Sequence, residues 1–289
     1  MRRVLLIRHG ETTWNREGRW QGHGDVPLSA EGRAQAEALA RALRAEGALV
    51  GARVLCSDLA RAHETASRLG LAAPEPDRAW RELDVGRWGG LTSEEVRARF
   101  PEDAAALRDD VAATHGGGES WLDLTARAVA AFGRLEASLA PGGTAVVVAH
   151  GAVLGVLVDA LVGHAGRRPR PLGRWHNTGI TRLVLDDTPG GPVIVEAYNQ
   201  IAHLGAVPID AAPPIFEAWV AGSDEAAASV TAAGAPVGPW SADAFVDWVS
   251  VGWVHAPRGP GARARFAPPP PGTRVVTAGS PARLVAWAR

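Results

Sequence analysis

Lysine is absent from this 289-residue sequence, and all thirty basic residues are arginines. A Walker-type phosphate loop is therefore excluded, because its lysine must reach the phosphates of the nucleotide. A Schiff-base lysine and a lysine general base are excluded for the same reason. One missing residue type thus removes three common ways of handling phosphoryl and carbonyl groups.

Cysteine is nearly absent, since Cys56 is the only one. A single cysteine forms no intrachain disulfide, so cysteine usage leaves the redox compartment open. The stretch CSDLAR, from Cys56 to Arg61, invites comparison with a cysteine-phosphatase loop, in which a thiolate attacks phosphorus. That loop needs one residue more between cysteine and arginine than the four present here. We therefore interpret Cys56 as a small buried hydrophobic residue at the end of a strand.

Long apolar runs and an excess of charge are also missing. The net charge is −1, so we expect neither nucleic acid nor a membrane surface as a partner. The start, MRRVLLIRHG, contains four consecutive apolar residues, fewer than a signal peptide needs, and no run approaches the length of a bilayer span. We expect a soluble, cytoplasmic globular protein with one large domain, or one medium domain plus an appendage.

Histidine is plentiful, with nine residues, but the spacings that bind metals do not occur. Neither an H-E-x-x-H pair nor an H-x-E…C-x-x-C pattern is present, so we predict no metal and no cofactor. Within HGGGES, we interpret His115 as a turn residue that could line a pocket. Five further histidines are interpreted as surface or hydrogen-bonded core residues: His63, His164, His176, His203 and His255.

Short apolar runs alternate with helical patterns over the first two hundred residues. The predicted strands are 2–7, 52–57, 144–150, 180–186 and 192–199, and the predicted helices are 28–46, 58–70, 120–139 and 151–163. Ser29 is a candidate helix cap, and Thr92 with Glu95 and Ser120 with Asp123 have the spacing of capping boxes. Such alternation predicts an α/β fold, a three-layer α/β/α sandwich with a mostly parallel central sheet.

Polar residues follow three of these strands at the point where each one ends. Arg8 and His9 follow the first strand, Ser57 the second and His150 the third. Ligands of open α/β sheets bind beyond the carboxyl ends of the parallel strands. We therefore expect these side chains to share one edge of the sheet.

The composition changes after residue 204, where Pro, Gly and Ala become abundant. Composition of this kind is typical of disorder, but five of the eleven tryptophans lie in residues 205–289. TRVVTAGS and ARLVAWAR also have the pattern of short strands. Because large apolar side chains favour burial, we predict a main domain of residues 1–204 and a packed carboxyl-terminal extension of residues 205–289.

A series of motifs in the first domain occurs in a characteristic order. The series consists of Arg8-His9-Gly10, Asn15, RWQGHGDVPLS (19–29), SDLARAHETA (57–66), RELDVGRWGGLT (81–92), HGGGES (115–120), VVVAHGAV (146–153), NTGIT (177–181) and NQIAHL (199–204). In this order and at these separations, the motifs resemble the histidine phosphatase superfamily, in its phosphoglycerate-mutase-like branch. The resemblance covers about residues 2–204.

The resemblance implies roles for a catalytic set. Neutral His9 attacks phosphorus and becomes a phosphohistidine, which divides the reaction into two displacements. Arg8 and Arg61 hold the phosphoryl oxygens with planar guanidinium groups. His150 is the second histidine, cationic and bonded to a phosphate oxygen. Glu82 is the acid/base that protonates the leaving group and later deprotonates water.

The resemblance also implies a substrate-binding set around these residues. Asn15, Gln21, Gly22 and Gly151 contact the phosphate or its entrance, and Gly10 permits the close backbone approach that orients His9. Taken singly, Arg8 or Arg61 could equally be a member of an ordinary ion pair. Glu82 could instead be a surface residue paired with Arg81 or Arg87.

The motifs and the resemblance leave three functions open. The first is metal-independent hydrolysis of a small phosphorylated metabolite, the second is a phosphoglycerate-mutase-type phosphoryl transfer, and the third is a non-catalytic binding or scaffold role. In mutases of this branch, a basic insertion holds a second phosphate, whereas residues 93–120 contain seven acidic residues and three arginines. The sequence therefore favours hydrolysis and leaves a homo-oligomer open.

Overall fold

The secondary structure is taken from a computed structural model, which describes residues 1–71, 73–163, 165, 174–188 and 190–205, together with the backbone of four short strands between 254 and 288. The strands are β1 (Arg2–Arg8), β2 (Arg53–Cys56), β3 (Glu75–Pro76), β4 (Thr144–Ala149), β5 (Ile180–Leu185), β6 (Val193–Gln200), β7 (Val254–Ala256), β8 (Arg265–Phe266), β9 (Arg274–Val276) and β10 (Ala286–Ala288). The α-helices are α1 (Thr13–Arg16), α2 (Ala30–Ala45), α3 (Ala60–Arg68), α4 (Ser93–Arg99), α5 (Pro101–Asp109), α6 (Trp121–Ser138) and α7 (Gly151–Leu161). Within these residues, no helix is long and apolar enough to cross a membrane.

The main sheet has the strand order β3-β2-β4-β1-β5-β6, with β7 and β8 added beyond β6. The pairings from β3 to β1 are parallel, and those from β1 to β6 are antiparallel. Among the first six strands, β5 alone therefore runs against the others. The predicted α/β class with a mostly parallel sheet is confirmed.

Helices cover both faces of this sheet, which explains the unbroken apolar runs of its central strands. In β4, Ala145, Val147 and Ala149 face the core beneath α6 and α7. The alternate residues Val146 and Val148 face a second core beneath α2 and α3. Because side chains alternate across a strand, a strand covered on both faces needs an apolar residue at every position.

The caps predicted from sequence all form. The hydroxyl groups of Ser29, Thr92 and Ser120 accept backbone N–H groups in the first turns of α2, α4 and α6, and the latter two caps are complete capping boxes. A further box, between Thr12 and Asn15, begins α1. The sequence did not predict it, because asparagine stands where a capping box usually has glutamate or glutamine.

The extension contributes only short strands to the described residues. β9 and β10 lie within the two stretches predicted as strands, and they pair with each other in an antiparallel ribbon. β7 pairs with β6. Four of the five tryptophans of the extension lie outside the described residues. The division at residue 204 and the packing of the extension stay predictions.

The loop after β1 packs against the first turn of α2 with almost no space between the backbones. A Cβ atom on Gly10 would lie 2.4 Å from the carbonyl oxygen of Gly32. A Cβ atom on Gly32 would lie 2.0 Å from the carbonyl oxygen of Glu11. Both positions therefore require glycine, and the close approach sets the depth at which the neighbouring His9 lies, with 2% of its surface exposed.

Replacing Gly10 with alanine should lower the free energy of unfolding by about 1–3 kcal/mol, because a methyl group in a tightly packed region forces the backbones apart. The matched control is Gly133→Ala on the exposed side of α6, where an added Cβ meets nothing within 4 Å. That change should raise stability by about 0.5–1 kcal/mol, because alanine loses less backbone entropy than glycine. Urea unfolding measures both variants, and equal stabilities would contradict the close contact.

Candidate active site

The register of the sheet brings two predicted histidines together. Arg8 at the end of β1 pairs with Ala149 at the end of β4, so that the next residues, His9 and His150, lie side by side. Their ring centroids are 5.1 Å apart in an edge-to-face arrangement. Nε of Arg61, from α3, donates to Nδ1 of His150 over 3.2 Å. Residues from three distant parts of the chain therefore meet at this edge of the sheet.

His9 is held as a neutral imidazole with a defined tautomer. Nδ1 lies 2.6 Å from the carbonyl oxygen of its neighbour Gly10. Because a carbonyl oxygen only accepts, Nδ1 carries the proton and Nε2 keeps its lone pair. Burial, followed by the charges of Arg61 and Arg8, holds the pKa of His9 well below 6.5 despite this hydrogen bond. The Nε2 lone pair of His9 is therefore available near neutral pH.

His150 has the opposite tautomer. Nδ1 accepts the Nε–H of Arg61, which places the proton on Nε2. Nε2 is buried and has no hydrogen-bond partner among the described residues. Burial, followed by the charge of Arg61, holds the pKa of His150 well below 6.5. These surroundings favour a neutral ring, unlike the cationic one that the resemblance implies, but the Nε2–H group can still donate to an anion.

Arg8 is partly buried, and the described part of the chain leaves one of its N–H donors unoccupied. One terminal nitrogen donates to the carbonyl oxygen of Trp175, whereas Nε has no partner among the described residues. Burial lowers the pKa of Arg8 to about 10, although the charge of Glu82 raises it in part. The side chain therefore stays cationic at neutral pH. A Cβ atom on Gly151 would lie 3.6 Å from this Nε, so the predicted Gly151 borders the free donor.

Arg61 is fully buried, and most of its N–H donors bind groups of the protein itself. Besides His150, it donates to the carbonyl oxygens of Gly24 at 2.6 Å and Gly22 at 2.8 Å. Three of its five N–H groups are thus occupied, and they hold the loop of residues 21–24 against the histidines. Burial lowers the pKa of Arg61 to about 10, so this residue also stays cationic. Its predicted contact with phosphate can use only the N–H groups that are left.

The loop held by Arg61 places Gln21 beside the site. Gln21 is 8% exposed, and its Oε1 has no hydrogen-bond partner among the described residues. Gly22 has φ of +49°, and a Cβ atom there would lie 2.5 Å from a methyl group of Val85. Glycine is therefore required at position 22 for packing as well as for backbone conformation.

Asn15 is oriented by its neighbours. Its Oδ1 accepts the backbone N–H and the hydroxyl of Thr12, both at 3.1 Å, and the Nδ2–H of Asn177 at 3.3 Å. Since Oδ1 is occupied by donors, the amide Nδ2 is left to donate to an anion. The same Asn177 amide also donates to the carbonyl oxygen of His9 at 2.9 Å.

The carboxylate of Glu82 lies at the first turn of α7, just after His150. Oε1 accepts the backbone N–H of Leu83 at 2.9 Å, and both oxygens lie 3.2 Å from the backbone nitrogen of Ala152. Oε2 has only the N–H of Ala152 as a donor, whereas Oε1 also accepts from Leu83. Oε2 is therefore the oxygen with more capacity to exchange a proton. The helix end and the carboxylate therefore face the same edge of the sheet as the histidines.

The ion-pair alternative for Glu82 is not what the structure contains. Arg81 forms a two-bond ion pair with Asp58, at 2.7 and 2.6 Å. Arg87 pairs with Asp103. Both neighbouring arginines are thus occupied elsewhere, and Glu82 is left to the backbone donors of the site.

The cysteine alternative is also unsupported. Cys56 is buried in the core beneath α2 and α3. Burial, with a smaller effect of Asp58, raises the pKa of its thiol to about 12. Such a thiol is not a nucleophile at neutral pH, because only the thiolate attacks.

Apart from His23, whose Nε2 lies 2.9 Å from the carbonyl oxygen of Glu82, the remaining histidines of the described residues have mostly structural surroundings. His115 is 1% exposed and packs edge-to-face on Trp121, with ring centroids 4.9 Å apart, so it lies in an aromatic cluster. His203 meets the hydroxyl of Thr178 at 2.9 Å, and burial lowers its pKa. His63 and His176 lie at the surface, whereas His164 and the side chain of His255 lie outside the described residues. Among the described residues, no group of three or more His, Cys, Asp or Glu could hold a metal ion.

Sequence reasoning missed the segment around Thr178, which binds the backbone of Arg8 and His9. The backbone N–H of Thr178 donates to the carbonyl oxygens of Arg8 at 2.9 Å and His9 at 3.3 Å. Thr178 is buried and has φ of +56°, which is rare for a β-branched residue and costs energy. The motif NTGIT contained these residues, but it carried no indication of their role.

Comparison with known proteins agrees with the geometry. A family model described as the histidine phosphatase superfamily (branch 1) matches residues 4–200. Two relatives are a glucosyl-3-phosphoglycerate phosphatase of Mycolicibacterium vanbaalenii and a probable phosphoglycerate mutase GpmB of Enterobacter sp. The first is 37% identical and covers 66% of this chain and 89% of its own length. The second is 34% identical and covers 73% of this chain and 98% of its own length.

The same likeness extends to solved structures. One of them is a mycobacterial glucosyl-3-phosphoglycerate phosphatase in complex with VO3. It matches with a TM-score of 0.57 and 35% identity, over 64% of this chain and 93% of that chain.

The two buried imidazoles should make stability depend on pH. In the folded chain, the pKa values of His9 and His150 lie well below 6.5, whereas an unfolded histidine titrates near 6.5. The unfolded state therefore binds more protons below this pH, and stability is lost as pH falls from about 6.5 toward the folded pKa values. Each histidine should contribute a slope of up to about 1.4 kcal/mol per pH unit.

Urea unfolding between pH 7.5 and 5 measures this slope. Replacing His9 with glutamine, which does not titrate, should flatten the pH dependence relative to the unchanged chain. An identical slope in the variant would mean that the pKa of His9 is the same in the folded and unfolded states.

Proposed function

The chain belongs to the histidine phosphatase superfamily and is a phosphatase, and from that premise we propose that it hydrolyses a small phosphorylated metabolite through a phosphohistidine on His9. One observation carries the proposal. The Nε2 lone pair of His9 lies beside two buried donors that have no hydrogen-bond partner in the part of the chain that the structure describes, Nε of Arg8 and Nε2–H of His150. An anionic phosphoryl group supplies acceptors for both donors and an electrophile for the lone pair.

In the first displacement, Nε2 of His9 forms a bond to phosphorus as the bond to the leaving oxygen breaks. The departing alkoxide takes a proton from the carboxyl group of Glu82. Arg8 and His150 donate to the non-bridging oxygens, whose charge is spread in a loose transition state. The hydrogen bond from His9 Nδ1 to the Gly10 carbonyl strengthens as the ring becomes positively charged.

In the second displacement, water attacks phosphorus and the bond to His9 breaks. Glu82, now a carboxylate, takes a proton from that water, so the carboxyl group returns to its starting state. His9 leaves as a neutral imidazole, and inorganic phosphate is the product. No metal or other cofactor is needed in either step.

Phosphoryl transfer of the mutase type is the second candidate, because one relative is named a probable phosphoglycerate mutase. A mutase must hold a second anionic group near the first. Arg87, in the segment that follows Glu82, is already paired with Asp103 and stacked on the ring of Phe100. The rim on this side therefore offers no unpaired guanidinium at position 87, which supports hydrolysis.

A phosphorylated sugar acid or a related hydroxylated phosphomonoester is the substrate class we propose. The relative from Mycolicibacterium vanbaalenii is named for such a substrate, glucosyl-3-phosphoglycerate. A panel should contain glucosyl-3-phosphoglycerate, 3-phosphoglycerate, sugar phosphates and nucleotides. Release of phosphate identifies hydrolysis, whereas conversion of 3-phosphoglycerate to its 2-phospho isomer identifies a mutase.

Replacing His9 with alanine should reduce turnover of p-nitrophenyl phosphate at least about 10³-fold, since the nucleophile is lost. The wild-type rate should persist with excess chelator. The matched control is Cys56→Ser, which should keep the wild-type rate because the thiol takes no part in the chemistry. The phosphohistidine mechanism would be contradicted by an active His9→Ala variant, or by a Cys56→Ser variant that is folded but inactive.

Replacing Glu82 with glutamine should affect substrates according to their leaving groups. For an alkyl phosphate, kcat/KM should fall about 10²–10⁴-fold, the usual contribution of a general acid. For p-nitrophenyl phosphate, kcat/KM should change little, because nitrophenolate departs without a proton. A uniform loss of kcat/KM across leaving groups would show that Glu82 is not the acid.

A further inference from the structure

Arg127, on α6, uses every one of its N–H groups around the segment that carries Glu82. One terminal nitrogen donates to the carbonyl oxygens of Ala79 at 3.0 Å and Arg81 at 2.9 Å. The other donates to the carbonyl oxygen of Glu82 at 3.1 Å. The remaining donors form a two-bond ion pair with Glu119, at 2.8 and 2.6 Å. The five donors of the guanidinium are thus all occupied.

Glu119 continues this arrangement on the other side of Glu82. Its Oε2 accepts the backbone N–H of Asp84 at 2.9 Å, and its own backbone N–H donates to the Asp84 carbonyl oxygen at 2.9 Å. Burial raises the pKa of Glu119, but the hydrogen bonds from Arg127 and from Asp84 outweigh burial and lower it overall. The carboxylate is therefore ionised when it binds Arg127. Through Glu119, the motif HGGGES binds both Arg127 and the backbone of Asp84.

We propose that Arg127, oriented by Glu119, is a positioning residue for the acid/base Glu82. The inference rests on the proposed function, in which Glu82 exchanges protons with the leaving group and with water. Arg127 and Glu119 bind backbone groups at positions 79, 81, 82 and 84, so they fix the segment on both sides of Glu82. Neither residue touches the reacting atoms. Their effect is to keep the Glu82 carboxylate at the first turn of α7.

A guanidinium is needed for this task. Its planar fork reaches a carboxylate with two nitrogens and three carbonyl oxygens with the remaining donors, whereas an ammonium group has three donors at one point. Arg127→Lys therefore keeps the charge but cannot make all the bonds. A displacement of about 1 Å in a catalytic group can lower a rate about 10²-fold. A displaced Glu82 should therefore slow the step in which it gives its proton to the leaving group.

The experiment compares Arg127→Lys with wild type on two substrates, an alkyl phosphate and p-nitrophenyl phosphate. For the alkyl phosphate, kcat/KM should fall about 10- to 100-fold. For p-nitrophenyl phosphate, kcat/KM should stay within about twofold, because departure of nitrophenolate does not use Glu82. Glu119→Gln should show the same dependence on leaving group with a smaller loss, since the amide still accepts one N–H of Arg127.

A matched control is available at Arg53, which forms a two-bond ion pair with Glu75 at 2.7 and 2.5 Å, away from the segment of Glu82. Arg53→Lys should leave kcat/KM of both substrates unchanged. Thermal unfolding of all variants shows whether each one is folded at the assay temperature, and Glu119→Gln provides the test if Arg127→Lys does not fold.

The double variant Glu82→Gln, Arg127→Lys separates positioning from general structural damage. If Arg127 acts through Glu82, the second change should cost nothing further on the alkyl phosphate, because the group it positions is already gone. Losses that multiply, or an equal loss on both substrates, would overturn the inference. Failure of the proposed function is distinguishable, since wild-type protein would then hydrolyse neither substrate.

Discussion

The parallel pairing of β1 with β4 is the constraint on which the rest of the site depends. This pairing sets Arg8 opposite Ala149, and the residues that follow each strand, His9 and His150, consequently lie side by side. A shift of one residue in this register would turn the side chains of one strand to its other face. The apolar residues of both strands, buried against helices on both sides, prevent such a shift and so preserve the distance between the two rings.

Cationic side chains outnumber anionic ones at the centre of the site. This imbalance costs free energy in the free protein and favours the binding of an anion. The buried guanidinium of Arg61 and the partly buried one of Arg8 lie beside two imidazoles that burial keeps neutral. Buried charges without full pairing cost free energy. In the proposed mechanism, a phosphoryl dianion offsets that cost when it binds, and it meets donors that need no reorganisation. The backbone of Thr178, which donates to the carbonyl oxygens of Arg8 and His9, is strained. This strain also costs free energy in the folded chain.

Backbone carbonyl groups, rather than other side chains, hold most of the site's polar residues in place. Gly10 orients His9, Trp175 holds Arg8, and the loop carbonyls of Gly22 and Gly24 hold Arg61. A carbonyl group is a fixed acceptor that cannot change rotamer. Such partners give each of these side chains a defined direction without adding further charges to the site.

Local patterns in the sequence were enough to predict the alternating elements, the helix caps and the positions of Arg8, His9 and His150 at strand ends, because periodicity and capping are short-range properties. The resemblance added Glu82. Only the tertiary structure decided which strands are neighbours and which tautomer each imidazole has. It also decided that Arg127 binds the backbone of Glu82 and that Thr178 binds the backbone of His9. The reason is physical. Backbone groups are the same at every residue, so a side chain that binds them across a long separation leaves no pattern in the sequence.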